Sequence, residues 1–216
     1  MKIILPIKEH STRLNNKNFR PFHDGLSLSE IKIRQLLDFS DKEDIIVVGD
    51  GDRSKALAET YKTGAYLCDK NHNHDFASAI NYWFTEATDC FPGEDIMTTF
   101  VTSPLFDYYN EILKAWDDDH ECSDSIFSAS PFKHFVTDKK GIPLNFQYGY
   151  YHKTSDKLPE WFVMDWSCIL TTAKVAKEAK YVIGKTPKVF SQPGPSINID
   201  TKEDFELAQW YYQNKQ

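Results

Sequence analysis

"IILPIKEHSTRLNNKN", residues 3–18, sets the expected fold. Ile3 to Ile7 is a nearly unbroken apolar run, the form of a strand covered on both faces. It stops at Lys8, and within ten residues come Arg13 and Lys17, set among Glu9, His10, Ser11, Thr12, Asn15, Asn16 and Asn18. A buried strand emptying into a cationic polar loop is what an α/β sheet shows where ligands bind, beyond the carboxyl ends of its strands.

Working outward, the rhythm repeats. Ser27 and Glu30 form a capping-box pattern that opens a helix with Ile33, Leu36 and Leu37 on one face. "DIIVVG" (44–49) is a second buried strand, closed by Asp50-Gly51-Asp52. Leu57 and Tyr61 share a face of the next helix, which Gly64 should end, and "AYLC" is a third strand. Phe76, Ile80, Trp83, Phe84 and Ala87 fit a helix capped by Asp75. "DIMTTFV" is another strand, and Tyr109, Ile112, Leu113 and Trp116 line a helix. Strands alternating with amphipathic helices predict a mainly parallel sheet with helices on both faces.

From about Ser125 to Leu170 the alternation fails. "SIFSAS", "HFVTD" and "WSCIL" read as strands, Lys139-Lys140-Gly141 as a turn, and the stretch between is aromatic and irregular. An antiparallel extension over 125–170 is expected within a single domain of 1–216. Tyr148, Tyr150, Tyr151, Trp161 and Trp166 suit a dimer interface or a substrate wall, the interface being the better fit, since rings with polar tips favour such surfaces. Beyond it come a helix near 173–179, strand-like "KVF", and a short strand "SINID" ending at Asp200. Thr201 then caps a last helix with Phe205, Ala208 and Tyr212 inward.

The chain has 216 residues, net charge -7, 41% hydrophobic and 14% aromatic residues, enough for one sizeable core. The acidic balance excludes a broad nucleic-acid or membrane-binding face, so phosphate recognition must be local. Cys68, Cys90, Cys122 and Cys168 are scattered, without a CxxC pair, and read as free buried thiols. The N-terminal apolar run is too short for a signal-peptide core, and a cytoplasmic location is expected. His72 and His74 read as a solvated loop, and "DDDHE" (117–121) as a helix terminus.

The strand ends bring together Lys8 through Lys17, Asp50, Thr102-Ser103 and Asp200. Cations with loop N–H groups suit a polyphosphate; acids on another strand end suit its divalent cation. With these landmarks on the page, the chain resembles the acylneuraminate cytidylyltransferases, the CMP-sialic acid synthetase family. Pro6, Ser11, Arg13, Leu14, Lys17 and Asn18 fall on that family's opening loop, and "VVGDGD", "FVTSPLFD" and "SINIDTKEDFELA" resemble its later motifs.

The resemblance implies a Rossmann-like nucleotide-diphospho-sugar transferase fold, usually dimeric through its extension. The implied reaction transfers CMP from CTP to a 2-keto sugar acid, with Mg2+ and release of pyrophosphate. By position, Arg13, Lys17 and Asp200 would be catalytic. Lys8, Ser11, Asn18 and Asp50 would join Arg13 and Lys17 around the nucleotide. Thr102, Ser103 and Asp165 would face the sugar, and Asp200 with Asn198 would hold the metal. The chain departs from the family pattern at Glu9, His10, Thr12, Phe100, Phe106 and Asn198, where the family carries glycines, lysine, glutamine, arginine and a metal acid. Two other readings stay open: a degenerate member that binds nucleotide without turnover, and a nucleotidyltransferase or GT-A glycosyltransferase using another nucleotide.

Overall fold

The structure is a computed structural model that describes residues 1–67, 89–119 and 121–214. Seven strands form one sheet: β1 (Lys2–Ile7), β4 (Ile45–Gly49), β5 (Gly64–Leu67), β6 (Asp95–Thr99), β7 (Ser125–Phe132), β8 (Trp161–Thr172) and β9 (Pro187–Ser191). Their order is β5-β4-β1-β6-β8-β7-β9, and β8 alone runs against the others. A small hairpin of β2 (Pro21–His23) and β3 (Leu26–Ser27) precedes the first helix.

β1 lies between two parallel neighbours, Ile3 facing Ile45 on one side and Met97 on the other. Its alternate side chains enter different layers: Ile3, Leu5 and Ile7 join one core and Ile4 the other. That two-sided burial is why its sequence is a continuous apolar run and not an alternating one. Helices α1 (Leu28–Leu37), α2 (Asp52–Tyr61), α3 (Tyr109–Asp117) and α5 (Lys202–Gln213) contribute to the larger core; α4 (Ala173–Ala179) joins the smaller one. The expected α/β fold with a mainly parallel sheet is what the chain forms.

The capping boxes at Ser27/Glu30 and Thr201/Asp204 are both present. Helix α2, however, ends at Lys62, whose φ of 56° supplies the left-handed turn, and Gly64 already belongs to β5. "SINID" is not a strand: it runs extended and ties in through the Ile199 N–H, which donates to the Thr102 carbonyl at 2.8 Å. "HFVTD" is reduced to a single bridge, Thr137 to Pro143, around the expected turn at Lys139–Gly141.

The extension expected over 125–170 begins and ends inside the sheet. Ser125–Phe127 pair with Ile169–Thr171 among the core strands. Farther out, Ala129–Phe132 pair with Trp161–Met164 and carry the exposed segment 133–160. Among the described cysteines Cys168 is buried, but Cys90 and Cys122 are exposed, against the expectation of buried thiols. The helix expected over Asp75–Ala87, the His72/His74 pair and the Cys68 end of "AYLC" lie outside the described residues. No helix among the described residues is long and apolar enough to cross a membrane.

Candidate active site

The loop after β1 is pinned from three directions. The Asn18 side-chain amide donates to the Lys8 carbonyl at 2.8 Å, and the Ser29 hydroxyl donates to the Asn18 carbonyl at 2.8 Å. Asn16, at φ 53°, turns the chain into a short 3-10 segment, Lys17–Phe19. The third anchor is Glu9. Its N–H donates to Asp50 Oδ1 at 2.8 Å, while its Oε1 accepts from the Ser54 N–H at 2.8 Å and the Ser54 hydroxyl at 2.9 Å.

Glu9 therefore caps the first turn of α2, where Gly51, the residue at the cap position, has no side chain to do so. Burial alone would raise its carboxyl pKa; the bonds from Ser54 and Arg53 outweigh burial and leave it below the ordinary value. A Cβ on Gly51 would lie 2.4 Å from Glu9 Oε2, so a side chain there would push Glu9 off its cap. The charge that a phosphate loop would least tolerate is thus committed to a helix. Asp50, expected near the nucleotide, accepts the Glu9 N–H and so helps to position this loop.

Arg13, Lys17 and Asp200 come together across 187 residues of sequence. The Arg13 guanidinium donates to Asp200 Oδ1 at 2.9 Å, and the Lys17 ammonium reaches the same oxygen at 3.2 Å and also donates to the Ile199 carbonyl. Lys17 is only 7% exposed. Burial lowers its pKa and Arg13 adds to that, while Asp200 opposes both. Asp200 is held in turn by its N–H, which donates to Asp204 Oδ2 at 3.0 Å inside the α5 capping box. Asn198 is half-buried two residues earlier, next to the fully buried Ile199.

Thr102, Ser103 and Asp165 lie on the neighbouring part of the same edge. The Thr102 carbonyl receives Ile199 N–H, and the Ser103 hydroxyl reaches the Asp165 carbonyl at 3.5 Å. Sequence reasoning missed Lys32. It is fully buried, its ammonium donating to the Ser103 carbonyl at 2.9 Å, the Tyr109 hydroxyl at 2.9 Å and the Phe106 carbonyl at 3.4 Å. Phe106, at the family's arginine position, is packed in the core against Tyr109.

Mg2+ suits these residues only in part. Among the described residues no three acidic, His or Cys side chains form a metal-holding group. Asp200 with the amide oxygen of Asn198 fits a cation that brings phosphate oxygens and water with it, as Mg2+ does.

No family model and no curated protein matches the sequence. Solved structures do match its fold. A CMP:2-keto-3-deoxy-manno-octonic acid synthetase complexed with CTP has a TM-score of 0.68 at 13% identity, over 100% of this chain and 99% of that one. A cytidylyltransferase from Leptospira borgpetersenii has a TM-score of 0.64 at 12% identity, over 100% and 87%. A 4-diphosphocytidyl-2C-methyl-D-erythritol synthase from Anaerococcus prevotii has 0.63 at 15%, over 98% and 99%. The chain has the α/β fold of the nucleotidyltransferases.

Proposed function

We propose that the protein is a cytidylyltransferase that joins CMP from CTP to a hydroxyl of a 2-keto sugar acid and releases pyrophosphate. The observation that carries this reading is the meeting of Arg13 and Lys17 with Asp200 at the carboxyl edge of the sheet. Fold neighbours that use CTP support it, and a neighbour that makes a CMP-sugar acid supports the acceptor class.

In this reading the acceptor oxygen attacks the α-phosphorus, the bond to the pyrophosphate oxygen breaks, and the hydroxyl proton is lost. Catalysis is then positioning and charge neutralisation. Arg13 and Lys17 neutralise the departing pyrophosphate. Lys8, Ser11 and Asn18 shape the loop around the nucleotide. Thr102, Ser103 and Asp165 line the acceptor side. Asp200 and Asn198 would hold Mg2+, which supplies positive charge to the phosphates when bound. The arm within 125–165, exposed over 133–160, joins two copies into a homodimer.

The second reading, binding without turnover, is favoured by one observation: Asp200 is the sole carboxylate of its segment's metal pair, with Asn198 as the other member. A thermal-shift series with CTP, ATP, GTP and UTP, with and without Mg2+, tests both readings. A rise in Tm with CTP and pyrophosphate release abolished by Asp200→Asn support the enzyme. CTP binding without pyrophosphate release from any sugar acid supports the binder; no nucleotide binding sinks both.

A further inference from the structure

Opposite the single residue Ser128, between the pairs Phe127↔Ile169 and Ala129↔Met164, strand β8 carries the four residues Asp165–Cys168. This bulge is closed by Asp165 itself: its Oδ1 accepts from the Ser128 hydroxyl at 2.5 Å and from the Ser167 N–H at 3.0 Å. Trp166, inside the bulge, sits at φ 57°, a left-handed conformation that a bulky side chain rarely adopts. Bulges of this kind re-aim side chains beside active sites, and backbone strain collects there.

What the bulge aims is an unmet acceptor. Asp165 is 5% exposed, and its second oxygen, Oδ2, has no hydrogen-bond partner among the described residues. Seven more buried side-chain oxygens among the described residues are in the same condition, and two of them, Ser130 Oγ and Gln192 Oε1, lie beside this bulge. The strand pairing puts all three on one face. Ser128 pairs with Phe190, so Ser130 and Gln192 follow two positions along on the same side, toward the end of the sheet. Gln192 is fixed there by its N–H, which donates to the Ala129 carbonyl at 2.9 Å. Its amide nitrogen is turned to the Pro195 carbonyl at 3.0 Å and the Gly194 carbonyl at 3.5 Å, which leaves Oε1 pointing the other way.

A buried oxygen without a donor is costly, so three brought to one face by the pairing of β7 with β9 and by the Ser128–Asp165 bond point to a ligand. Lys32, the buried cation on this side of the sheet, is engaged with Ser103, Phe106 and Tyr109. From Gln192 the chain leads through Ser196 to Asn198 and Asp200, which joins this cluster to the nucleotide side.

We infer that Asp165, Ser130 and Gln192 form a subsite that binds the hydroxyl groups of a polyhydroxylated acceptor. This rests on the cytidylyl-transfer reading, and it assigns the acceptor's hydroxyls, not its carboxylate, to this end of the site. These oxygens are closed from solvent in the free protein, so the acceptor's hydroxyls reach them only as the surrounding side chains give way.

Calorimetric titration of the CTP-saturated protein in EDTA, where no turnover occurs, tests the subsite. The probes are N-acetylneuraminate, 2-keto-3-deoxyoctonate and gluconate, against hexanoate and 2-ketohexanoate of the same charge. At least one hydroxylated acid is expected to bind about tenfold tighter than either aliphatic acid. D165N and Q192L should reduce that advantage below about threefold, leaving CTP affinity within about twofold. S130A, which removes one hydroxyl, serves if D165N does not fold. Three outcomes overturn the subsite: CTP binding with no preference for hydroxylated acids, a preference unmoved in the variants, and an ordered water alone satisfying Asp165 Oδ2 in the acid-bound crystal. Failure to bind CTP at all overturns the cytidylyl reading instead.

Discussion

Lys17 and Glu9 sit on one loop, nearly out of water, and each meets a different element. Lys17 supports both nucleotide and fold, since its ammonium holds the Ile199 carbonyl as well as Asp200. Lys17→Met should weaken CTP binding by about 1–3 kcal/mol and lower stability by a similar amount, the range for losing charged hydrogen bonds. Titration calorimetry and urea unfolding read the two separately. The pH dependence has a definite sign. The unfolded lysine keeps its proton up to about 10.5, and the folded one releases it earlier. The unfolded state then binds more protons in the window below 10.5, so Lys17's contribution to stability rises with pH there. The parent-minus-variant stability difference should rise across that window; a flat difference would mean that Lys17 is not desolvated.

Glu9 gives the same sign at the acid end of the scale. Its folded pKa lies below the ordinary value of 4.5, so its contribution is full above 4.5 and is lost as pH falls through the lower folded value. Glu9→Gln should cost about 1–2 kcal/mol near neutrality, from a weakened helix cap and charged hydrogen bonds. The cost should vanish at low pH, as acid-dependent urea midpoints of parent and variant would show.

Among the elements, β8 is where competing effects can be weighed. Glycine at Trp166 would relieve a left-handed residue, worth about 1–2 kcal/mol. It would also remove a half-buried ring packed edge-on against Phe100 at 6.0 Å and Tyr181 at 6.4 Å, which costs about 3 kcal/mol, the low end for losing an aromatic. Packing wins, so Trp166→Gly should lose about 1–2 kcal/mol net. A gain in Tm would show that strain dominates the bulge. None of this bulge was legible in "MDWSCIL", because a bulge is defined by the partner strand and not by its own residues. The caps at Ser27 and Thr201 were legible because their partners lie three residues away. Lys32 was not: between Ile31 and Ile33 it reads as a solvated charge, and its carbonyl partners are more than seventy residues distant. The triad of Arg13, Lys17 and Asp200 was legible as residues but not as a mutual contact. Glu9 was a misfit in sequence because its partner, Ser54, enters only through the fold.

At the scale of the whole molecule, the arm between β7 and β8 is where the proposed homodimer is put to the test. Its side chains pack mainly on each other: Phe135 lies 5.0 Å from Phe146 and stacks on His152 at 5.0 Å, and Phe146 meets Tyr148 at 5.3 Å. Yet Tyr150 is 96% exposed, and Phe135, Ile142, Leu144, Tyr148, Tyr151 and Val163 are also open. So continuous an apolar surface on one projection exceeds the scattered exposure normal for a monomer. The arm carries Lys133, Lys139, Lys140, Lys153 and Lys157 against Asp138, Asp156 and Glu160, a net of +2 on a chain of -7. A basic aromatic arm and an acidic body are complementary, which favours arm-to-body packing between copies. Sedimentation equilibrium at micromolar concentration should therefore give a dimer. Tyr150→Ser with Leu144→Ser should shift it toward monomer while leaving unfolding of the monomeric core nearly unchanged, since neither side chain is buried within one copy. A parent that sediments as a monomer would defeat the arm as an interface. A double variant that stays fully dimeric would place the contact elsewhere.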